Sequence, residues 1–210
     1  FASAASLRVT DPSLTRIADE YAVTLAVASY VITSYALAYG VLQIVFGPAG
    51  DRFGKVRVVA WACAASAVTA LMCAAAPNLV LLLVARALSG AAAAAIIPLS
   101  MAWVGDTVPY GERQATLAKF LNGTILGLIL GQAMGGAMAD TLGWRWAFVL
   151  LAGIYLLVGL LLLAALRGHH ANASASTKPA ARAPERYRLV LGNPHGRFIL
   201  ATIFIEAIAT

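Results

Sequence analysis

Gly47-Pro48-Ala49-Gly50-Asp51-Arg52-Phe53-Gly54-Lys55-Val56-Arg57 is a glycine-rich, charged stretch set between two long apolar runs. Tyr21 to Phe46 on one side and Val58 to Val84 on the other contain no Lys, Arg, Asp or Glu. Each run holds enough apolar residues for the ~20-residue helix that crosses a ~30 Å hydrocarbon core. The stretch therefore reads as the connection of a membrane hairpin, and the rest of the chain takes its orientation from it.

The whole composition agrees. Hydrophobic residues make up 61% of the 210 and charged residues 11%, against about 45–50% and about 25% in soluble domains. Mean hydropathy is +0.82. The expected class is all-α, a polytopic bundle of membrane helices. The long, weakly alternating runs do not suit a β-barrel, whose strands are ~10 residues with period two. Phe1 to about Leu14 reads as the tail of a first span. Further spans are expected over about 22–46, 58–76, 79–104, 115–139 and 145–166. A loop falls at 105–113, a short turn at 140–144, and Pro77-Asn78 is a turn signal. Residues 1–166 then form a six-helix unit, 167–197 a basic, Ala/Ser/Pro-containing linker of disordered composition, and 198–210 the start of a seventh span. Both ends read as interior to a longer chain. Phe1 to Leu7 lacks the basic start and full apolar stretch of a cleavable signal peptide.

The net charge of +6 is explained by membrane topology, with no nucleic-acid partner. Eleven of the fifteen basic residues (Arg52, Lys55, Arg57, Arg113, Lys119, Arg167, Lys178, Arg182, Arg186, Arg188 and Arg197) fall on one side of the expected layers. Arg8, Arg16 and Arg145 fall on the other, and Arg86 lies within a span. The excess of Lys and Arg marks the cytoplasmic side, which places 47–57, 105–113 and 167–197 in the cytoplasm. Six spans, a basic linker and a further span suggest two repeats joined by a loop, as in secondary transporters. Cys63 and Cys73 lie ten residues apart on one apolar span and read as buried free thiols, and no metal-ligand pattern is present. His169, His170 and His195 lie in the linker and read as solvated. There is no phosphate loop, dinucleotide fingerprint or nucleophile elbow, so an enzyme reading has no constellation behind it.

Three motifs, in order, carry a resemblance. Gly47-x-x-x-Asp51-Arg52-x-Gly54-Lys55-x-Arg57 resembles the loop between helices 2 and 3 of the major facilitator superfamily, with Val56 interrupting the usual pair of adjacent basic residues. Arg86-x-x-x-Gly90 with a later Pro98 resembles the fourth-helix pattern of that family. Gly123, Gly127, Gly131 and Gly135, with Gly136, form a four-residue repeat on one helix face. That repeat resembles the fifth-helix motif of the family's 12-helix drug and sugar proton-antiporter branch, with Gln132 where the motif has Pro. Leu14-Thr15-Arg16-Ile17-Ala18 is similar to the end of the family's first helix, and Gly143-Trp144-Arg145-Trp146-Ala147-Phe148 to its link between helices 5 and 6.

The resemblance implies the amino-terminal half of a monomeric transporter that works by alternating access, and the Ala and Gly richness points to a bacterial plasma membrane. The resemblance also implies a small-molecule substrate, a proton gradient as the drive, no bound cofactor, and efflux as the direction. A facilitator, an importer or a non-transporting receptor on the same fold remain the alternatives. In this frame Gly47, Asp51, Arg52, Gly54, Lys55 and Arg57 are a conformational latch. Arg86 is implied in proton coupling, and an Arg at membrane depth costs ~2.5–3.5 kcal/mol even on insertion scales. The other reading of Arg86 is a snorkelling interfacial residue. Glu206, ~13 Å along a helix from Arg197, is a candidate proton carrier. Arg8 and Asp11, one turn apart, either bind an anionic group, gate the outer side or are simply interfacial. Gly90, Pro98, Gly123, Gly127, Gly131, Gly135 and Gly136 serve helix packing. Tyr30, Thr33, Ser34, Tyr35, Tyr39 and Gln43 either line a cavity or make helix contacts.

Overall fold

The computed structural model describes residues 1–169. Most of the predicted linker, the predicted seventh span and Glu206 lie outside the described residues. The described elements are all helical: α1 (Ala2–Arg8), a 3-10 turn (Asp11–Ser13), α2 (Leu14–Glu20), α3 (Leu25–Ala28), α4 (Tyr30–Phe53), α5 (Lys55–Ala74), α6 (Leu79–Ala93), α7 (Ile96–Thr107), α8 (Tyr110–Thr141) and α9 (Trp144–His169). Among the described residues five stretches are long and apolar enough to cross a membrane: Leu25–Phe53, Lys55–Ala74, Leu79–Thr107, Tyr110–Thr141 and Trp144–Leu166.

The connections are shorter than the sequence suggests. Residues 47–57 are expected as a turn, yet α4 runs through Gly47 and Pro48 to Phe53 and α5 starts at Lys55. Only Gly54 breaks the helix, at φ +90°, a conformation open to glycine because it has no Cβ. The expected loop 105–113 shrinks to Val108-Pro109, and the expected turn 140–144 to Leu142-Gly143, again with a positive-φ glycine. The charged residues that mark these segments sit on helix ends, where the backbone stays hydrogen-bonded. The expected single span 79–104 is interrupted at Ala94-Ala95. Pro98 explains the position: its ring clashes with the carbonyl four residues back, at Ala94, and it has no N–H to donate there. Asn78, expected as part of a turn, also caps α6, its side chain accepting from Leu81 N at 2.9 Å.

The spans alternate in direction, so one end of the bundle carries Gly54 and the other Gly143. Interior positions of α5 follow the helical period: Val58, Val59, Ala62, Cys63, Ser66, Ala67, Ala70 and Cys73 are buried. Both cysteines are free. They meet the walls formed by α9 and α6, whereas α4 and α8 keep wide uncovered apolar faces. Small residues allow the closest approaches. A Cβ on Gly90 would strike the backbone carbonyl of Tyr35, and one on Gly50 the side chain of Leu99. On α8, Gly127, Gly131 and Gly135 seat α1: a Cβ at Gly127 would come within 2.5 Å of Phe1 O and one at Gly131 within 2.5 Å of Ala5 Cα, and one at Gly135 would strike Val9 O. The five-glycine ridge of the sequence is thus three contact positions. Gly123 faces open space, and Gly136 only grazes Pro12, at 3.5 Å.

Candidate functional site

Arg86 is the largest fully buried side chain among the described residues, at 0% exposure. It lies on α6 one turn before Gly90. The contact that Gly90 permits brings the Tyr35 segment of α4 against the same face of α6. The Arg86 guanidinium stands 4.2 Å from the Tyr35 ring centroid and 5.8 Å from that of Phe148 on α9. Its Nε donates to Val31 O at 3.4 Å, and its Nη1 donates to Ser6 O at 3.2 Å. One cation therefore joins α1, α4 and α6. Snorkelling to an interface is excluded by this burial.

No carboxylate pairs with Arg86 among the described residues, and its Nη2 has no hydrogen-bond partner. The hydroxyls of Tyr35 on α4, Tyr155 on α9 and Ser66 on α5 are also buried in this interior, with Ser6 beside Tyr35. Ser6 and Ser66 are polar neighbours of Tyr155. Asp11 is near enough to act electrostatically on Arg86, but its Oδ2 takes Arg8 Nη1 at 3.1 Å and its Oδ1 is buried and unbonded. The Arg8 side chain is exposed, so this pair points one end to the surface and the other inward. The result is a donor-rich, positively charged interior in a low-dielectric setting, where a charge acts far more strongly than in water. A carboxyl brought beside it would be favoured as the anion. Tyr39 stacks on Tyr35, with centroids 6.0 Å apart and 14° between planes. Tyr155 and Ser6 carry no sequence signal beyond being polar residues in apolar runs, so sequence reasoning misses them.

At the Gly54 end, Lys55 is the hub. Its Nζ pairs with Asp106 Oδ2 at the end of α7, and lies 3.7 Å from Asp51 Oδ1. Asp106 is expected only as a loop residue. Its role emerges because α7 ends beside the α4–α5 corner. Arg52 lies over its neighbour Phe53, 5.2 Å from the ring centroid.

At the Gly143 end a second polar knot forms. Arg145 Nη1 donates to the carbonyls of Ala74 and Ala76, each at 2.8 Å, and Nη2 donates to Glu20 Oε1 at 2.7 Å and to Tyr21 Oη at 3.2 Å. Trp144 Nε1 donates to Glu20 Oε2 at 2.5 Å, and the Tyr21 hydroxyl donates to Ala76 O at 2.9 Å. Arg145 thus satisfies carbonyls left over at the end of α5 and ties them to α2 and α9. Burial pushes the Tyr21 phenol above its ordinary range, against the opposing pull of Arg145. It remains a donor to Ala76 throughout the neutral range.

These features define a polytopic helical membrane protein in which a buried cation sits between spans, with charge clusters at both ends. The chain belongs to the Major Facilitator Superfamily, whose family profile matches residues 1–210. It is 34% identical over 156 residues to the MFS-type transporter EfpA of Mycobacterium tuberculosis, covering 74% of this chain and 29% of that protein. It is 28% identical over 160 residues to the multidrug export protein EmrB of Escherichia coli, covering 76% of this chain and 31% of that protein. The chain thus spans under a third of the length of these curated relatives. Its fold matches 45% of the crystal structure of peptide transporter POT in complex with sulfate, with a TM-score of 0.67 at 20% identity, over 100% of this chain.

Proposed function

We propose that the chain is the amino-terminal part of a proton-coupled exporter that moves a small molecule out of a bacterial cytoplasm by alternating access. The observation that carries the reading is Arg86, fully buried and without a counter-charge among the described residues. A purely structural bundle could carry an apolar side chain at this place with little change in stability. A coupling site needs the charge, because a fixed positive charge makes the protonation of a nearby carboxyl depend on distance, and distance changes with conformation. Asp11 is the carboxyl assigned to that exchange, with Arg8 holding it at the outer rim; Glu206 keeps its reading, from the sequence alone, as a candidate proton carrier. Efflux is supported by the likeness to a multidrug export protein, and the inner-membrane setting by the bacterial relatives and the one-sided Lys/Arg excess.

The Gly54 end is assigned to the cytoplasm, and Asp51, Lys55 and Asp106 to a latch that holds α4, α5 and α7 in one register. Gly47, Arg52, Gly54 and Arg57 belong to the same segment. Gly54 supplies the corner that lets Lys55 face both carboxylates. Everted vesicles carrying the full-length protein test the reading. An imposed proton gradient should drive uptake of a fluorescent drug substrate, and Arg86→Gln, which removes the charge, should uncouple it. Uptake that ignores the gradient in the wild type would sink proton coupling.

A further inference from the structure

The exposed side of α5 has a definite pattern. Arg57, Trp61, Ala64, Ala65, Val68, Leu71 and Met72 are exposed at three- and four-residue spacing while the positions between them are buried. One stripe along the span is therefore apolar, left uncovered by the other described helices, and ends in a cation. Four residues separate Arg57 from Trp61, so the guanidinium stem begins about 6 Å nearer the membrane surface than the indole. That is the depth relation of a headgroup-level cation above an interfacial aromatic.

Two further observations make this a defined place. The Gly54 corner folds Phe53 back so that its ring meets Trp61, with centroids 6.3 Å apart and 53° between planes. Phe53 is 47% and Trp61 54% exposed, so the pair forms an open aromatic shelf at the helix end. The charges of the corner are also unequally used. Lys55 takes Asp51 and Asp106, whereas Arg57 is exposed and has no ion pair, hydrogen bond or ring contact among the described residues.

We propose that Arg57, with Phe53 and Trp61, binds the headgroup of an anionic phospholipid, the aromatic shelf packing on its glycerol and upper acyl region. Charge complementarity selects the occupant: a guanidinium with no ion pair among the described residues is a bidentate donor to phosphate, and a basic residue at an anionic membrane surface gains about 1 kcal/mol. The apolar stripe below supplies the acyl path. The proposal rests on the membrane reading of the chain and is independent of its substrate and coupling ion.

The test uses the full-length protein in phosphatidylcholine vesicles holding equal mole fractions of brominated phosphatidylglycerol or brominated phosphatidylcholine. Quenching at Trp61 is isolated by subtracting Trp61→Phe counterparts. In the wild type the phosphatidylglycerol should occupy the shelf with about fivefold preference, the factor equivalent to ~1 kcal/mol. Arg57→Gln should bring the preference to about unity, and Lys119→Gln, which removes another exposed charge assigned to the same side, should leave it intact. Equal losses in both variants would show general surface attraction and overturn the site. So would an absent preference in the wild type, or no Trp61 quenching by either lipid, since Trp61 would then be covered by protein.

Discussion

Replacing Arg86 with Met separates a coupling residue from a structural one. The charge costs ~2.5–3.5 kcal/mol to hold in the membrane interior. Against this stand hydrogen bonds to Val31 O and Ser6 O, at ~0.6 kcal/mol each on average in membrane helices. The Tyr35 ring at 4.2 Å adds ~2 kcal/mol for a desolvated cation–π contact. The gains nearly match the cost. Met has an unbranched, adaptable side chain and leaves one poorly satisfied carbonyl, that of Ser6 at the end of α1, worth ~1 kcal/mol. Arg86→Met should therefore change unfolding stability by no more than ~2 kcal/mol. Proton-driven transport should fall at least 100-fold, because no fixed charge remains to bias a carboxyl. Denaturant unfolding in detergent gives the first quantity, and gradient-driven uptake into everted vesicles the second. Wild-type coupled uptake by Arg86→Met would refute the coupling role. Destabilisation well beyond 3 kcal/mol with parallel loss of folded protein would show that the residue is chiefly a strut between α1, α4 and α6.

The other predictions follow from contacts at single positions. Gly135→Ala should cost about 1–3 kcal/mol, because its Cβ strikes the Val9 carbonyl and overpacked sites carry that penalty. Gly123→Ala, facing open space, should stabilise by about 0.4–1 kcal/mol through the unfolded chain, and thermal unfolding of the pair reads both. Asp106→Asn and Asp51→Asn should each lower kcat for transport more than they raise KM, by loosening the Lys55 contacts, and raised KM at unchanged kcat would count against a latch. Arg145→Ala should destabilise more than Glu20→Gln in the same unfolding assay. It strands the Ala74 and Ala76 carbonyls, whereas the half-exposed Glu20 pair contributes at most about 1 kcal/mol.

The amino-acid sequence determines the all-helical membrane class, the approximate spans and the family, because apolar length, charge placement and glycine spacing are local properties that the bilayer reads directly. Gly54, Gly143, Asn78 and Pro98 act where local chemistry places them. Charge content overstates the extents of the turns, since a charged residue on a helix end and one in a loop look alike in a linear pattern. What tertiary structure decides is pairing. That Lys55 meets Asp106, that Arg145 gathers Glu20 with the end of α5, and that Gly127, Gly131 and Gly135 but not Gly123 meet α1, all depend on which helices lie together. The same holds for Arg86: its position names it as costly, but only packing shows that Tyr35, Phe148 and the carbonyls of Val31 and Ser6 surround it, with no carboxylate paired to it among the described residues. In a membrane, lipid is as apolar as any side chain, so hydrophobicity alone cannot choose a helix's neighbours. Close backbone approach and buried polar contacts make that choice, and both become visible only when the spans are assembled.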